Sequence, residues 1–172
     1  MTDTTAVSTL TTEEDNKIDT SEKTVYPDYK YCVWLLPEGK YWYDMNKSII
    51  PHMSIKTNMS LADALNLHKS VREDINHEFL QTRIDDNFMI TNDDGFVALQ
   101  YNIFYSENNR NDPPVWWPKD AHMSMIYKYN KGITDHEKIY MNTYCLKKHA
   151  LFGTPCLVHC KGHHSEWEII KL

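Results

Sequence analysis

Two segments of the chain, IPHMSI around His52 and AHMSMIY around His122, share a His-Met-Ser core flanked by apolar residues, and each runs on into a capped helix. That repetition restricts the fold more than any other feature. Two similar strand–loop–helix units have to pack side by side, and each has to accommodate an imidazole and a hydroxyl within an otherwise apolar strand. Residues two apart on a strand share a face, with Cα atoms about 6.5 Å apart. His52 therefore stands beside Ser54, and His122 beside Ser124, while Met53 and Met123 point the opposite way into the core.

The rest of the chain fits this plan. Residues 1–25 are rich in threonine and acidic residues and lack periodicity, which predicts a disordered leader before a single domain at 26–172. YKYCVWLLP reads as the first strand, EGKYWYDMNKS as a polar and aromatic connector, and IIPHMSIKT as the second strand. SLADALNLHKSVREDI has apolar residues at helical spacing, and Ser60 with Asp63 suggests a capping box. FMITNDD and GFVALQYNIFYSE predict two strands around an Asn-Asp-Asp-Gly turn. After a loop at 108–118 comes the second His-Met-Ser strand, then a helix capped by Thr134 and Glu137. PCLVHCK and SEWEIIKL read as two closing strands. The expected fold is α+β, with two similar lobes related by a pseudo-twofold.

Charge narrows the function. A formal net charge of −6 is a poor field for long nucleic acids, although a small anionic nucleotide needs only a local pocket. No apolar run approaches membrane-spanning length, so no membrane partner is expected. The four cysteines are scattered and no secretory signal is evident, which points to reduced thiols and a cytoplasmic location. The oligomeric state is not encoded in any feature of the sequence.

His-x-Ser alone carries little information, since it recurs at His68 on a predicted helix and at His163 in a turn. Only His52 and His122 combine it with a strand. Hydroxyls are poor zinc ligands and no carboxylate accompanies either motif, so neither a metal nor another cofactor is expected there. Cys156, His159, Cys160, His163 and His164 match no common zinc module either. Phosphodiester cleavage suits the set better. One imidazole takes a proton from the nucleophile and the other protonates the leaving oxygen, while Ser54 and Ser124 donate to the phosphate. Trp116 and Trp117 before the second motif, Tyr41, Trp42 and Tyr43 before the first, and Trp167 near the end are candidates to stack a base.

With these motifs the chain resembles the 2H phosphoesterase superfamily, whose members carry two His-x-Thr/Ser motifs on strands of a bilobal fold. YCVWLLP is similar to the family's first strand, PHMSI and AHMSMIY to its signature strands, and EWEIIKL to its closing strand. The LigT-like and cyclic-phosphodiesterase branches are the most similar. The resemblance implies two antiparallel sheets lining a central cleft with helices outside. It also implies His52 and His122 as acid and base in an order left open, and Ser54 and Ser124 as phosphate contacts. A metal-independent phosphodiesterase follows, acting on a small 2′-linked or cyclic nucleotide such as cyclic GMP-AMP or a 2′-5′ oligoadenylate. Some viral and phage members use that activity to evade nucleotide immune signalling in the host cytoplasm. The alternatives are a 2′,3′-cyclic nucleotide phosphodiesterase of RNA-end or tRNA-splicing products, and a non-catalytic nucleotide-binding sponge. Both motifs carry serine where the family more often has threonine.

Overall fold

The computed structural model describes residues 26, 28–45, 49–76, 78–93, 96–109, 111–145 and 147–172. The expected leader and positions 94 and 95 of the expected turn lie outside them. In chain order the elements are β1 (Asp28–Pro37), α1 (Lys40–Met45), β2 (His52–Met59), α2 (Leu61–Ile75), β3 (Leu80–Asp93) and β4 (Phe96–Tyr105). They continue with β5 (His122–Tyr129), α3 (Asp135–Tyr144), β6 (His149–Lys161) and β7 (Glu168–Ile170), with a 3₁₀ turn at His164–Glu166 before β7.

The fold is mixed α+β, built on one seven-stranded antiparallel sheet in the order β1-β2-β5-β4-β3-β6-β7. Because β6 also pairs with β1, the hydrogen-bonded path returns on itself. This corrects the expectation of two separate sheets. Two three-stranded ribbons do recur, β6-β1-β2 and β3-β4-β5, but two junctions merge them. β2 pairs with β5 at His52–Ser124 and Met53–Met123, and the first residues of β6 pair with the start of β3.

Strand alternation divides the sheet's two faces. Val33, Leu35, Met53, Ile55, Leu99, Tyr101, Met123 and Met125 are buried in the main core together with Ala64, Val71 and Ile75 of α2 and Met141 of α3. Cys32, Trp34, His52, Ser54, Ala98, Gln100, His122 and Ser124, the intervening positions, line a cavity on the other face. The helices therefore cover one face and leave the polar residues on the other. Ser60 caps α2 by accepting from the Asp63 N–H, and its hydroxyl donates to the Asp63 carboxylate, so only half of a capping box forms. Thr134 and Glu137 form the complete reciprocal box on α3.

Three element boundaries differ from expectation. β3 begins at Leu80 rather than Phe88, because in QTRID the buried Thr82 and Ile84 alternate with exposed polar residues that mimic a loop. Likewise β6 starts at His149 and runs through Gly153 and Pro155, residues that normally punctuate strands. SEWEIIKL yields only a three-residue strand, its start being taken by the 3₁₀ turn. The connector after β1 contains α1, whose Trp42 is 1 % exposed in the main core.

Met53 and Met123 pair across the β2–β5 junction with no exposed surface. Replacing either with alanine should lower the unfolding free energy by about 2–5 kcal/mol, as measured by urea denaturation. A loss below about 1 kcal/mol would mean that the junction tolerates a cavity and is not tightly packed.

Candidate active site

The β2–β5 register sets the site. His52 lies opposite Ser124, and continuing one residue brings Ser54 opposite His122. The two motifs thus meet head to tail about the Met53–Met123 pair. All four polar residues line one cavity of about 300 Å³. The structure brings together His52, His122, Ser54 and Ser124.

Both imidazoles are held the same way. His52 Nδ1 donates to the carbonyl of Ile50 at 2.7 Å, and His122 Nδ1 donates to the carbonyl of Asp120 at 2.9 Å. In each case the acceptor is the backbone two residues earlier, immediately before the strand begins. A proton fixed on Nδ1 leaves Nε2 as the nitrogen available for proton transfer. By contrast His68, on α2, spends its Nε2 on the carbonyl of Pro155 at 3.1 Å and is a satisfied core residue. His163 bonds its own neighbour Ser165 at 2.7 Å.

The two histidines differ in surroundings. His52 is 1 % exposed, and the Trp34 indole stacks on its ring with 3.7 Å between centroids and 13° between planes. Burial lowers its pKa to about 4, more than the Ile50 carbonyl raises it, and the nearby His122 lowers it further. His52 is therefore neutral at neutral pH. His122 is only partly buried, at the edge of the same cavity.

Tyr127 completes this side of the cavity, and the sequence pattern did not reveal it. Its hydroxyl lies 3.3 Å from His52 Nε2 and within hydrogen-bonding reach of Ser124. Because Nε2 can only accept, Tyr127 O–H donates to it, and burial pushes the phenol's pKa up so that the proton stays in place. Strict alternation would turn Tyr127 toward the core with Met123 and Met125. A bulge intervenes: β4 and β5 pair Leu99 with Ile126 but Gln100 with Ser124, an extra residue that brings Tyr127 back to the cavity face. The same irregularity stands between β1 and β2, where Val33 pairs with Lys56 but Trp34 pairs with Ser54, and Thr57 returns to the cavity.

The aromatic candidates separate. Trp167 lines the cavity, with its Nε1 donating to the Gly162 carbonyl at 3.2 Å and its ring tilted against Trp34. Trp42 is core, as above. Trp116 and Trp117 lie on the helix-covered side. Trp116 Nε1 donates to Asp74 of α2 at 2.7 Å, and both rings line a separate cavity that contains neither histidine. Their nearness in sequence to His122 gave the opposite expectation, because the loop before β5 folds back over α2. Trp34, in sequence no more than a residue of the first strand, forms the cavity wall.

Among the described residues no lysine, arginine or carboxylate lines the cavity; its walls are imidazole, hydroxyl, amide, thiol and aromatic groups. Among the described residues no three histidine, cysteine or acidic side chains gather as a metal site. His159 stacks on Tyr31, whereas Cys160 hydrogen-bonds Cys32 at the cavity wall, so the C-terminal cysteines and histidines diverge. No described helix is long and apolar enough to cross a membrane.

Burying His52 neutral ties stability to pH. Its folded pKa of about 4 lies below the ordinary 6.5, so the unfolded chain binds the proton more readily. The resulting stability is complete above pH 6.5 and is lost as pH falls toward 4, by about 3 kcal/mol in all. Urea titrations across that range should show this decline in the native protein and a flatter one in His52→Gln. Parallel declines in the two proteins would refute the assignment. No family model matches the chain, and no curated protein is significantly similar to it.

Proposed function

We infer that the protein is a metal-independent phosphodiesterase of the 2H type, its two ribbons forming a bilobal, pseudo-twofold unit around the cavity. The observation that carries this reading is the matched pair of Nδ1–carbonyl bonds, which leaves two Nε2 atoms for proton transfer in one cavity with two serine hydroxyls. Structural histidines have no need of this duplication.

The geometry supports an assignment of roles. His52, neutral and buried, is the base: its Nε2 removes a proton from water or a ribose hydroxyl as that oxygen attacks phosphorus. The Tyr127 contact at 3.3 Å is long for an O–H donor, so a nucleophile at ordinary hydrogen-bonding distance displaces it. His122, partly exposed, is the acid, and its Nε2–H protonates the ribose oxygen as the P–O bond breaks. Ser54 and Ser124 donate to the non-bridging oxygens. The proton gained by His52 and lost by His122 is balanced by exchange with solvent. A cavity of about 300 Å³ with Trp34 and Trp167 in its wall suits one nucleotide unit with its base stacked. That size favours a small 2′-linked or cyclic nucleotide in the cytoplasm, including the cyclic GMP-AMP and 2′-5′ oligoadenylate signals that viral members of the superfamily destroy.

A second reading, a nucleotide-binding sponge, draws support from the near-complete burial of His52 and the hydroxyl already on its Nε2. Separating products after incubation with cyclic GMP-AMP, 2′-5′ diadenylate and adenosine 2′,3′-cyclic phosphate distinguishes the two. The enzyme cleaves at least one of them and the sponge releases all three intact. Alanine at His52 or His122 should lower kcat by about 10²–10⁴-fold with the fold retained, and a strong chelator should leave activity unchanged. In the native enzyme kcat/KM should fall below about pH 4, where His52 takes up its proton. Full activity in either alanine variant would end the catalytic reading.

A further inference from the structure

The two ribbons repeat each other, and the places where they differ are informative. Trp34 sits opposite Ser54 next to one bulge, and Gln100 sits opposite Ser124 next to the other. Across the repeat, Trp34, His52, Ser54 and Thr57 correspond to Gln100, His122, Ser124 and Tyr127. On one side, then, an indole packs against an imidazole. On the other, a carboxamide takes the indole's place.

Gln100 is 6 % exposed, in the middle of the sheet between Met89 of β3 and Ser124 of β5, and it lines the cavity. Among the described residues its side-chain amide has no hydrogen-bond partner. Burying an amide unpaired is costly, and an apolar residue of the same size would avoid that penalty. An amide retained there is explained by a partner that arrives with the substrate. Its position identifies which part of the substrate. Neighbouring antiparallel residues have Cβ atoms about 5 Å apart, so Gln100 is one side chain from the Ser124 hydroxyl, in the same row as His52. Among the described residues the cavity also lacks a lysine or arginine to meet the phosphate's charge, which leaves only neutral donors beside the His122 imidazolium.

We propose that Gln100 is a further catalytic residue, its Nε2–H donating to a non-bridging phosphate oxygen beside Ser124. This rests on the phosphodiesterase reading and extends it. Ser124 already interacts with the Tyr127 hydroxyl, so the carboxamide supplies a donor that Ser124 alone does not, on the His122 side where the leaving oxygen departs. The smaller Gln100 also leaves room that an indole would fill, so the substrate enters from this side, where His122 is partly exposed and His52 is not.

The test uses Gln100→Leu and Gln100→Glu in the full chain. With whichever diester of the panel the native enzyme cleaves, Gln100→Leu should lower kcat about 10²-fold. Its melting temperature should hold or rise, because an unpaired buried amide has been removed. Gln100→Glu, which places a carboxylate against the phosphate, should lose more. Unchanged kcat in Gln100→Leu would overturn the proposal. So would a fall in melting temperature that accounts for the lost activity, or a loss confined to substrates with one particular base, which would make Gln100 a reader of base edges. Titration with inorganic phosphate, followed by ³¹P line broadening, separates this from the activity question. Gln100→Leu should weaken phosphate binding about tenfold or more. Equal affinity in the two proteins, or none in the native protein, would refute the role of Gln100 whether or not any diester is cleaved. Cleavage of no panel member together with weakened phosphate binding would instead count against the substrate assignment alone.

Discussion

The short antiparallel pairing of β2 with β5 is the contact on which the rest of the molecule depends. Its register, His52 with Ser124 and Met53 with Met123, performs two tasks together. The methionines join the ribbons through the core that the helices cover, and the polar residues meet head to tail on the open face. A slip of one residue would turn the histidines into the core and the methionines into the cavity, since strand side chains alternate with period two. Core packing and site geometry are therefore fixed by the same few backbone hydrogen bonds.

On the two repeated ribbons the surroundings of the two histidines differ. Trp34 covers His52 and burial holds it neutral, whereas His122 lies at a partly open edge next to the smaller Gln100. In the proposed mechanism, this difference is what assigns the base role to His52 and the acid role to His122. The bulges supply the rest. By adding a residue beyond each serine, they bring Thr57 and Tyr127 back to the cavity, and Tyr127 then links Ser124 to His52.

Much of this was legible in the sequence, and the limits have physical causes. The repeated His-Met-Ser strands and the helix-capping residues announced themselves through local pattern, because alternation and capping are local interactions. The fold class followed from them. Trp116 and Trp117 misled because proximity in sequence does not say to which side a loop folds, and Trp42 because an aromatic in a polar connector gives no sign of burial. Gln100 keeps the regular alternation of β4 but carries no motif, whereas Tyr127 escapes the pattern for a different reason. A bulge breaks the period that reveals which face a residue takes, and it depends on pairing between strands that local sequence does not specify. The merging of two expected sheets into one is likewise set by long-range pairing, through β6 above all.

Long-range ¹H–¹⁵N correlation spectra of the uniformly labelled protein, with and without adenosine 2′-monophosphate, test the central claim most directly. The account predicts that His52 and His122 carry their protons on Nδ1 whenever neutral, and that both Nε2 resonances shift together as the nucleotide is added. A proton on Nε2 of either neutral imidazole, or a nucleotide that leaves both resonances unmoved, would contradict it.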